Sequence, residues 1–128
     1  MPCVITLKRI LGSTLALGAV AFTAHALQAQ PRTPAYVITE IDVTDAAAFA
    51  EYAPKVQPSF APFGGRYIVR GGKTQSLTGD APKRVVVLAF DSINQVRAWY
   101  DSPQYEALKA LCDKAGKARI FAVEGATP

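Results

Sequence analysis

The side chains able to do chemistry sit in a few short stretches. Arg66 and Arg70 stand four residues apart in a run bounded by Gly64-Gly65 and Gly71-Gly72, and a period of two places them on the same side of a strand. By the same arithmetic Glu40 shares its side of an earlier alternating run with Tyr36. Arginine offers a planar fork of donors that fits a carboxylate, and a partly buried glutamate with a raised pKa can act as a base, so this set could bind a small acid. The plainer reading is a salt-bridged dimer interface in which Arg70 pairs with Glu40 or Asp42 across strands. Tyr67, Trp99, Tyr100 and Tyr105 could line an apolar cavity with a few hydroxyls, a seat for an aromatic compound. They could equally be core, and Trp99 and Tyr105 fall on the inward stripe of a helix.

What the chain lacks narrows the chemistry further. Lys8 and Arg9 precede an uncharged run from Ile10 to Phe22, and Ala24-His25-Ala26 then supplies the small-x-small pattern of a signal-peptide cleavage site. The run is too short for the roughly 20 residues a membrane-spanning helix needs, so residues 1–26 read as a leader cut after Ala26. Removing 26 of the 128 residues leaves 102, enough for one small domain. His25, the single histidine, leaves with the leader, as does Cys3.

A mature chain without histidine lacks the side chain best suited to acid–base work near neutral pH and the commonest haem, zinc and copper ligand. No Ser-His-Asp triad can be built. The carboxylates Glu40, Asp42 and Asp45 lack the spacing of a metal loop, and the glycine pairs lack the G-x-G-x-x-G or Walker pattern. No cofactor and no metal are therefore expected. Cys112, left alone and facing inward, reads as an inert core thiol, and stability must come from packing or association. The fourteen basic residues fall to twelve without Lys8 and Arg9, against ten acidic ones. So small a balance, with no basic cluster among aromatics, gives no nucleic-acid footprint.

The elements that must position these groups follow from periodicity. Residues 27–34 have little to bury and form a flexible lead-in to a domain over 35–125. Tyr36–Val43 alternates as a first strand, with Val37, Thr39, Ile41 and Val43 opposite Tyr36, Ile38, Glu40 and Asp42. Thr44 or Asp45 caps a helix whose stripe is Phe49, Tyr52, Ala53, Val56 and Phe60, with a kink or restart expected near Pro54. Arg66–Arg70 is the second strand, and part of Lys73 to Thr78 could extend the hairpin. Arg84–Phe90 is the third. Its apolar run has no polar side, so both of its faces need cover.

Ser92 and Gln95 have capping-box spacing before a helix carrying Val96 and Trp99, and Ser102-Pro103 restarts it with Tyr105, Leu108, Leu111 and Cys112 inward. Ala118–Glu124 closes the order β-α-β-β-α-β. That is a ferredoxin-like α+β fold, a four-stranded antiparallel sheet with two helices on one face. The bare face, with Ile38 and half of the third strand, calls for a second copy of the chain, so a homodimer packed sheet to sheet is expected.

The segments Phe63-Gly64-Gly65-Arg66-Tyr67-Ile68-Val69-Arg70-Gly71-Gly72 and Ala98-Trp99-Tyr100-Asp101-Ser102-Pro103-Gln104-Tyr105, with Tyr52-Ala53-Pro54 and Arg84 to Ser92, resemble domain of unknown function 1330. The resemblance covers residues 35–125 and implies a dimeric α+β barrel. Thr78-Gly79-Asp80 stands where that family often has a Glu-Gly-Asp-like turn, which weakens any carboxylate role for the loop. Related barrels include haem enzymes, cofactor-free monooxygenases, and lyases or isomerases of small acids, and fold alone does not choose among them.

The reading that emerges is an exported homodimer that binds a small acid or aromatic molecule. Its candidate ligand contacts are Tyr36, Glu40, Arg66, Tyr67, Arg70, Trp99 and Tyr105. The alternative is a cofactor-independent monooxygenase, lyase or isomerase. Membrane contact is confined to the leader during export, and the location is periplasmic or secreted. Intact-mass analysis of the exported protein should find a chain starting at Leu27; a mass that retains Met1 to Ala26 would overturn the leader.

Overall fold

The computed structural model describes residues 32–127, and the leader and most of the lead-in lie outside that range. Strand β1 spans Ala35–Val43, helix α1 Ala46–Phe60, β2 Arg66–Arg70, β3 Val85–Phe90, α2 Ile93–Tyr100, α3 Pro103–Ala115 and β4 Gly116–Glu124, with a 3-10 turn at Ala61–Phe63. The strands form one sheet in the order β2-β3-β1-β4, and every neighbouring pair is antiparallel. This is the expected ferredoxin-like arrangement, with the second helix divided into α2 and α3 at the restart.

Side-chain chemistry sets the helix boundaries. Asp45, rather than Thr44, caps α1 by accepting the Ala48 amide at 2.9 Å. Ser92 accepts the Gln95 amide at 3.3 Å, which is half of a capping box; Gln95 Oε1 is buried without a partner. Ser102 does two things. Its hydroxyl accepts the Tyr105 amide at 3.3 Å to start α3 and donates to the Trp99 carbonyl at 2.6 Å to finish α2. Pro103 takes the first turn of α3, where a missing amide costs nothing.

Three element boundaries differ from expectation. Helix α1 does not restart at Pro54 but runs unbroken through Pro54 and Pro58. Both prolines are exposed, so the carbonyls they leave without an amide donor, on Ala50 and Pro54, can turn to water while the buried stripe keeps its packing. Nor does Lys73 to Thr78 extend the hairpin, since residues 71–84 carry no strand. The last strand also begins earlier than expected. Gly116 leads straight from α3 into β4, at a position where any side chain would run into the Asp42 carbonyl.

The core lies between the helices and one face of the sheet. Val37 and Ile41 of β1 and Leu88 and Phe90 of β3 meet Tyr52, Val56 and Phe60 of α1, Val96 and Trp99 of α2, and Tyr105, Leu108 and Cys112 of α3. The register places Tyr36 and Ile38 on the other face, beside Ala89 and Val87 of β3 and Val123 and Phe121 of β4. Nothing in the described chain roofs that face. Val69, Phe121 and Val123 are 38%, 41% and 46% exposed.

Ser102 is buried and bonds both helices, whereas Ser92 caps one helix end. In urea unfolding, Ser102→Ala should therefore cost about 2 kcal/mol and Ser92→Ala about 1 kcal/mol. Equal midpoints for the two variants would contradict the double role of Ser102.

Candidate functional site

A cavity opens between α1 and the covered face of the sheet. Thr39 and Ile41 of β1, Tyr67 and Arg70 of β2, and Val86 and Leu88 of β3 form the sheet side, and Phe49, Tyr52 and Val56 the α1 side; Arg84 stands just ahead of β3, and Trp99 and Tyr105 close the cavity. Its interior volume is about 50 Å³. Its walls are mostly apolar, with a few polar groups that differ sharply in charge.

The two arginines reach the cavity by different routes. Arg84 pairs in step with Val86 and Leu88, which register against Thr39 and Val37 on the covered face. Its carbonyl accepts the Ile41 amide at 3.0 Å, so the backbone ladder continues one residue past the strand. Its guanidinium lies 4.9 Å from the centre of the Phe49 ring, and its Nε is buried with no hydrogen-bond partner. Gly71 makes this placement possible, because a Cβ there would stand 2.5 Å from the guanidinium, and its φ of +65° suits only glycine well.

Arg70 arrives through an irregularity in β2. Arg66 pairs with Ala89 and Tyr67 with Leu88, but Val69 pairs with Val87 and Arg70 with Val86, so Ile68 is the extra residue of a bulge. One inserted residue moves every later side chain to the opposite face. Arg66 and Arg70 consequently do not share a side: Arg66 joins Tyr36 on the open face, and Arg70 joins Tyr67 on the cavity face. The Arg70 guanidinium sits 4.7 Å from the centre of the Tyr67 ring.

The candidate residues named from sequence thus divide. Tyr67, Arg70, Trp99 and Tyr105 line the cavity, while Tyr36, Glu40 and Arg66 lie on the open face. Glu40 is held by Arg119 of β4, whose Nη2 and Nε reach Oε2 at 2.8 and 3.1 Å, and Asp42 is held by Lys83 at 2.8 Å. Arg70 pairs with neither. Arg84, Tyr52 and Phe49 are the cavity residues that sequence reading passed over. Counting back in twos from Leu88 would have found Arg84, and Tyr52 stood on the α1 stripe as an apolar residue.

Two of the lining residues carry buried hydroxyls. Tyr52 and Tyr105 are hydrogen-bonded at 3.3 Å between their oxygens, with the Cys112 thiol beside them. Burial pushes the Tyr52 hydroxyl far above its ordinary value, and pushes Tyr105 up to about 12 despite the opposing hydrogen bond from Tyr52. Burial raises Cys112 as well, with the Tyr52 hydrogen bond working against it. Burial also raises Tyr67, although Arg70 and Arg84 pull it down. At neutral pH the cavity therefore holds two cations and neutral phenols, with no carboxylate among its lining residues. Among the described residues there is also no group of three His, Cys, Asp or Glu side chains placed to hold a metal, and no helix long and apolar enough to cross a membrane.

Sheet order, antiparallel pairing and a helical layer on one face define a ferredoxin-like α+β protein. The chain belongs to the family described as domain of unknown function DUF1330, whose model matches residues 34–126. No curated protein matches it. Among solved structures it is similar to a protein of unknown function from Rhodopseudomonas palustris, at 17% identity and a TM-score of 0.61 over 76% of this chain and 85% of that one. It is also similar to SnoaB, a cofactor-independent oxygenase from Streptomyces nogalater, at 12% identity and a TM-score of 0.54 over 75% and 96% of the two chains. A dimeric ferredoxin-like protein of unknown function from Thermobifida fusca shares 16% identity and a TM-score of 0.54 over 73% and 92%. At these identities the likeness is one of fold.

The tyrosine pair carries a pH signature. Tyr105 binds its proton more tightly in the folded chain than its ordinary value of 10.0, so its contribution to stability is complete below about pH 10 and is lost as pH rises toward about 12. Tyr52 and Cys112 act in the same direction. Urea midpoints of the wild type should fall between pH 9 and 12, and Tyr105→Phe should flatten that fall; an unchanged slope in the variant would place the titration elsewhere.

Proposed function

We propose that this protein is an exported homodimer that binds a small organic acid in the cavity between α1 and the sheet. The observation that carries the reading is charge. Arg70 and Arg84 line a mostly apolar cavity, no acidic side chain lines it with them, and Arg84 Nε is buried without a partner. A buried donor of a permanent cation that bonds nothing is costly, and a carboxylate would satisfy it with the bidentate geometry a guanidinium prefers. The Arg84 guanidinium is also held in place over the Phe49 ring, 4.9 Å from its centre.

Binding is favoured over turnover by the proton inventory. Glu40, the base suggested by the sequence, is paired with Arg119 on the opposite face of the sheet. The phenols that do line the cavity hold their protons at neutral pH. The second reading, a cofactor-independent enzyme of the kind SnoaB is described to be, has support in fold alone. It would need a base from outside the lining residues.

Dimerisation is supported by the open face. Val69, Phe121 and Val123 expose apolar surface there beside Ile38 and Val87, and the Thermobifida fusca relative in fold is described as dimeric. Packing this face on its two-fold copy would cover both at once. Export rests on the leader pattern of residues 1–26.

Native mass spectrometry of the mature protein tests both halves together. The expected spectrum shows twice the chain mass, carrying a small acid that Arg84→Ala fails to retain. A monomer at micromolar concentration removes the dimer. Equal retention by Arg84→Ala removes the anion site.

A further inference from the structure

The sheet has two edges, and they are not equally protected. Strand β2 is short and carries the bulge at Ile68, a device that turns an edge away from further pairing. Strand β4 spans Gly116–Glu124 and matches β1 residue for residue, with neither bulge nor proline. It stands at the end of the sheet order, so its outer edge has no neighbour within the described chain.

Two hydrogen bonds settle which backbone groups that edge presents. In an antiparallel ladder, opposed residues alternate between pairs that exchange both N–H···O bonds and pairs that exchange none. The Gly125 amide donates to the Pro34 carbonyl at 2.7 Å, so the bonded pairs between β1 and β4 are Tyr36–Val123, Ile38–Phe121 and Glu40–Arg119. The Ile41 amide donates to Arg84 at 3.0 Å and agrees, because it assigns the alternate residues of β1 to β3. Ala118, Ile120 and Ala122 therefore turn their amides and carbonyls outward. Their side chains lie on the covered side of the sheet, where Ile120 lines grooves of about 490 and 210 Å³ against α2 and α3. The helices thus do not close over this strand.

The outward groups are symmetric about Ile120. Against a second β4 running antiparallel, Ala118 meets the partner's Ala122, Ile120 the partner's Ile120, and Ala122 the partner's Ala118, every pair of the bonded kind. The residues between them also fit. Arg119 falls opposite the partner's Phe121 and Lys117 opposite the partner's Val123, so no like charges meet. Phe121 and Val123, 41% and 46% exposed, are then covered by the stems of those cations. The Arg119 guanidinium already lies 5.6 Å from the Phe121 ring of its own chain, with its charge bonded to Glu40, and the same contact is repeated across the seam.

Resting on the homodimer reading, we infer that two copies of the chain join along β4, paired antiparallel about a two-fold axis at Ile120. Both open faces then lie on one side of a continuous sheet, and the coiling of that sheet carries them toward each other.

Disulfide trapping in the purified mature protein reads this register, with the wild type, whose Cys112 is buried, as the blank. Under mild oxidation Ile120→Cys should cross-link to itself, since bonded pairs hold their Cα atoms about 5.5 Å apart, within disulfide reach. Ala118→Cys should not, because its own copy lies roughly 14 Å away, whereas a mixture of Ala118→Cys and Ala122→Cys chains should. The mixture decides the register even if Ile120→Cys does not fold. Ala122→Pro removes an outward amide and leaves the ladder to β1 intact. Sedimentation should show its dimer dissociation constant raised about 30-fold, the worth of a hydrogen bond lost from each copy. A folded Ala122→Pro within about threefold of wild type overturns the seam. So does a wild type that sediments as a dimer while neither Ile120→Cys nor the mixture cross-links, a result that leaves the homodimer standing on its open face. A wild-type monomer at micromolar concentration removes both.

Discussion

The indole of Trp99 joins every layer of this molecule. It stacks on Phe90 of β3 at 5.6 Å, meets Phe60 of α1 edge-on at 6.3 Å, lies 4.4 Å from Tyr105 of α3, and donates its N–H to Ser59 of α1 at 3.0 Å. One residue thereby fixes how far three helices stand from the sheet, and it does so with its single polar atom satisfied. Ser102 sets the angle at which α2 hands over to α3 around it. The cavity is the space left beside this contact, because α1 is held at Phe60 and Ser59 while its Phe49 end lies against Arg84.

Around that anchor the sheet sorts side chains by parity, and parity has electrostatic consequences. The covered face receives the two guanidiniums of Arg70 and Arg84 and no carboxylate, whereas the open face and its rim carry the compensated pairs Glu40–Arg119 and Lys83–Asp42. Exposed pairs of that kind contribute little to stability. The cavity is left with two guanidiniums and no carboxylate among its lining residues, the asymmetry on which the proposed anion site rests.

Much of the architecture could be read from residue order. The alternation in Tyr36–Val43, the caps at Asp45, Ser92 and Ser102, the restart at Pro103 and the glycine stops are local effects, and the structure reproduces them. The bare face was legible too, because Val85 to Phe90 offers no polar side to turn toward water. No restart occurs at Pro54 because proline's cost depends on whether water can reach the carbonyl it orphans, which is a matter of exposure and not of sequence. The site was half legible. Tyr67, Arg70, Trp99 and Tyr105 meet at one cavity, yet Arg70 was grouped with Arg66, Glu40 and Tyr36, which it never approaches.

Sequence by itself determined the element order, the family membership carried by its motifs, the helix caps, and the absence of histidine from the segment after residue 26, since all of these are properties of neighbours along the chain. Tertiary structure alone decided which arginines face the cavity and which partner Glu40 takes. The extra residue at Ile68 exists only as a mismatch between β2 and β3, and the Glu40–Arg119 pair spans 79 positions between strands that meet only in the folded sheet. Parity along one strand can be counted from the sequence; parity relative to a partner strand is set when the two hydrogen-bond.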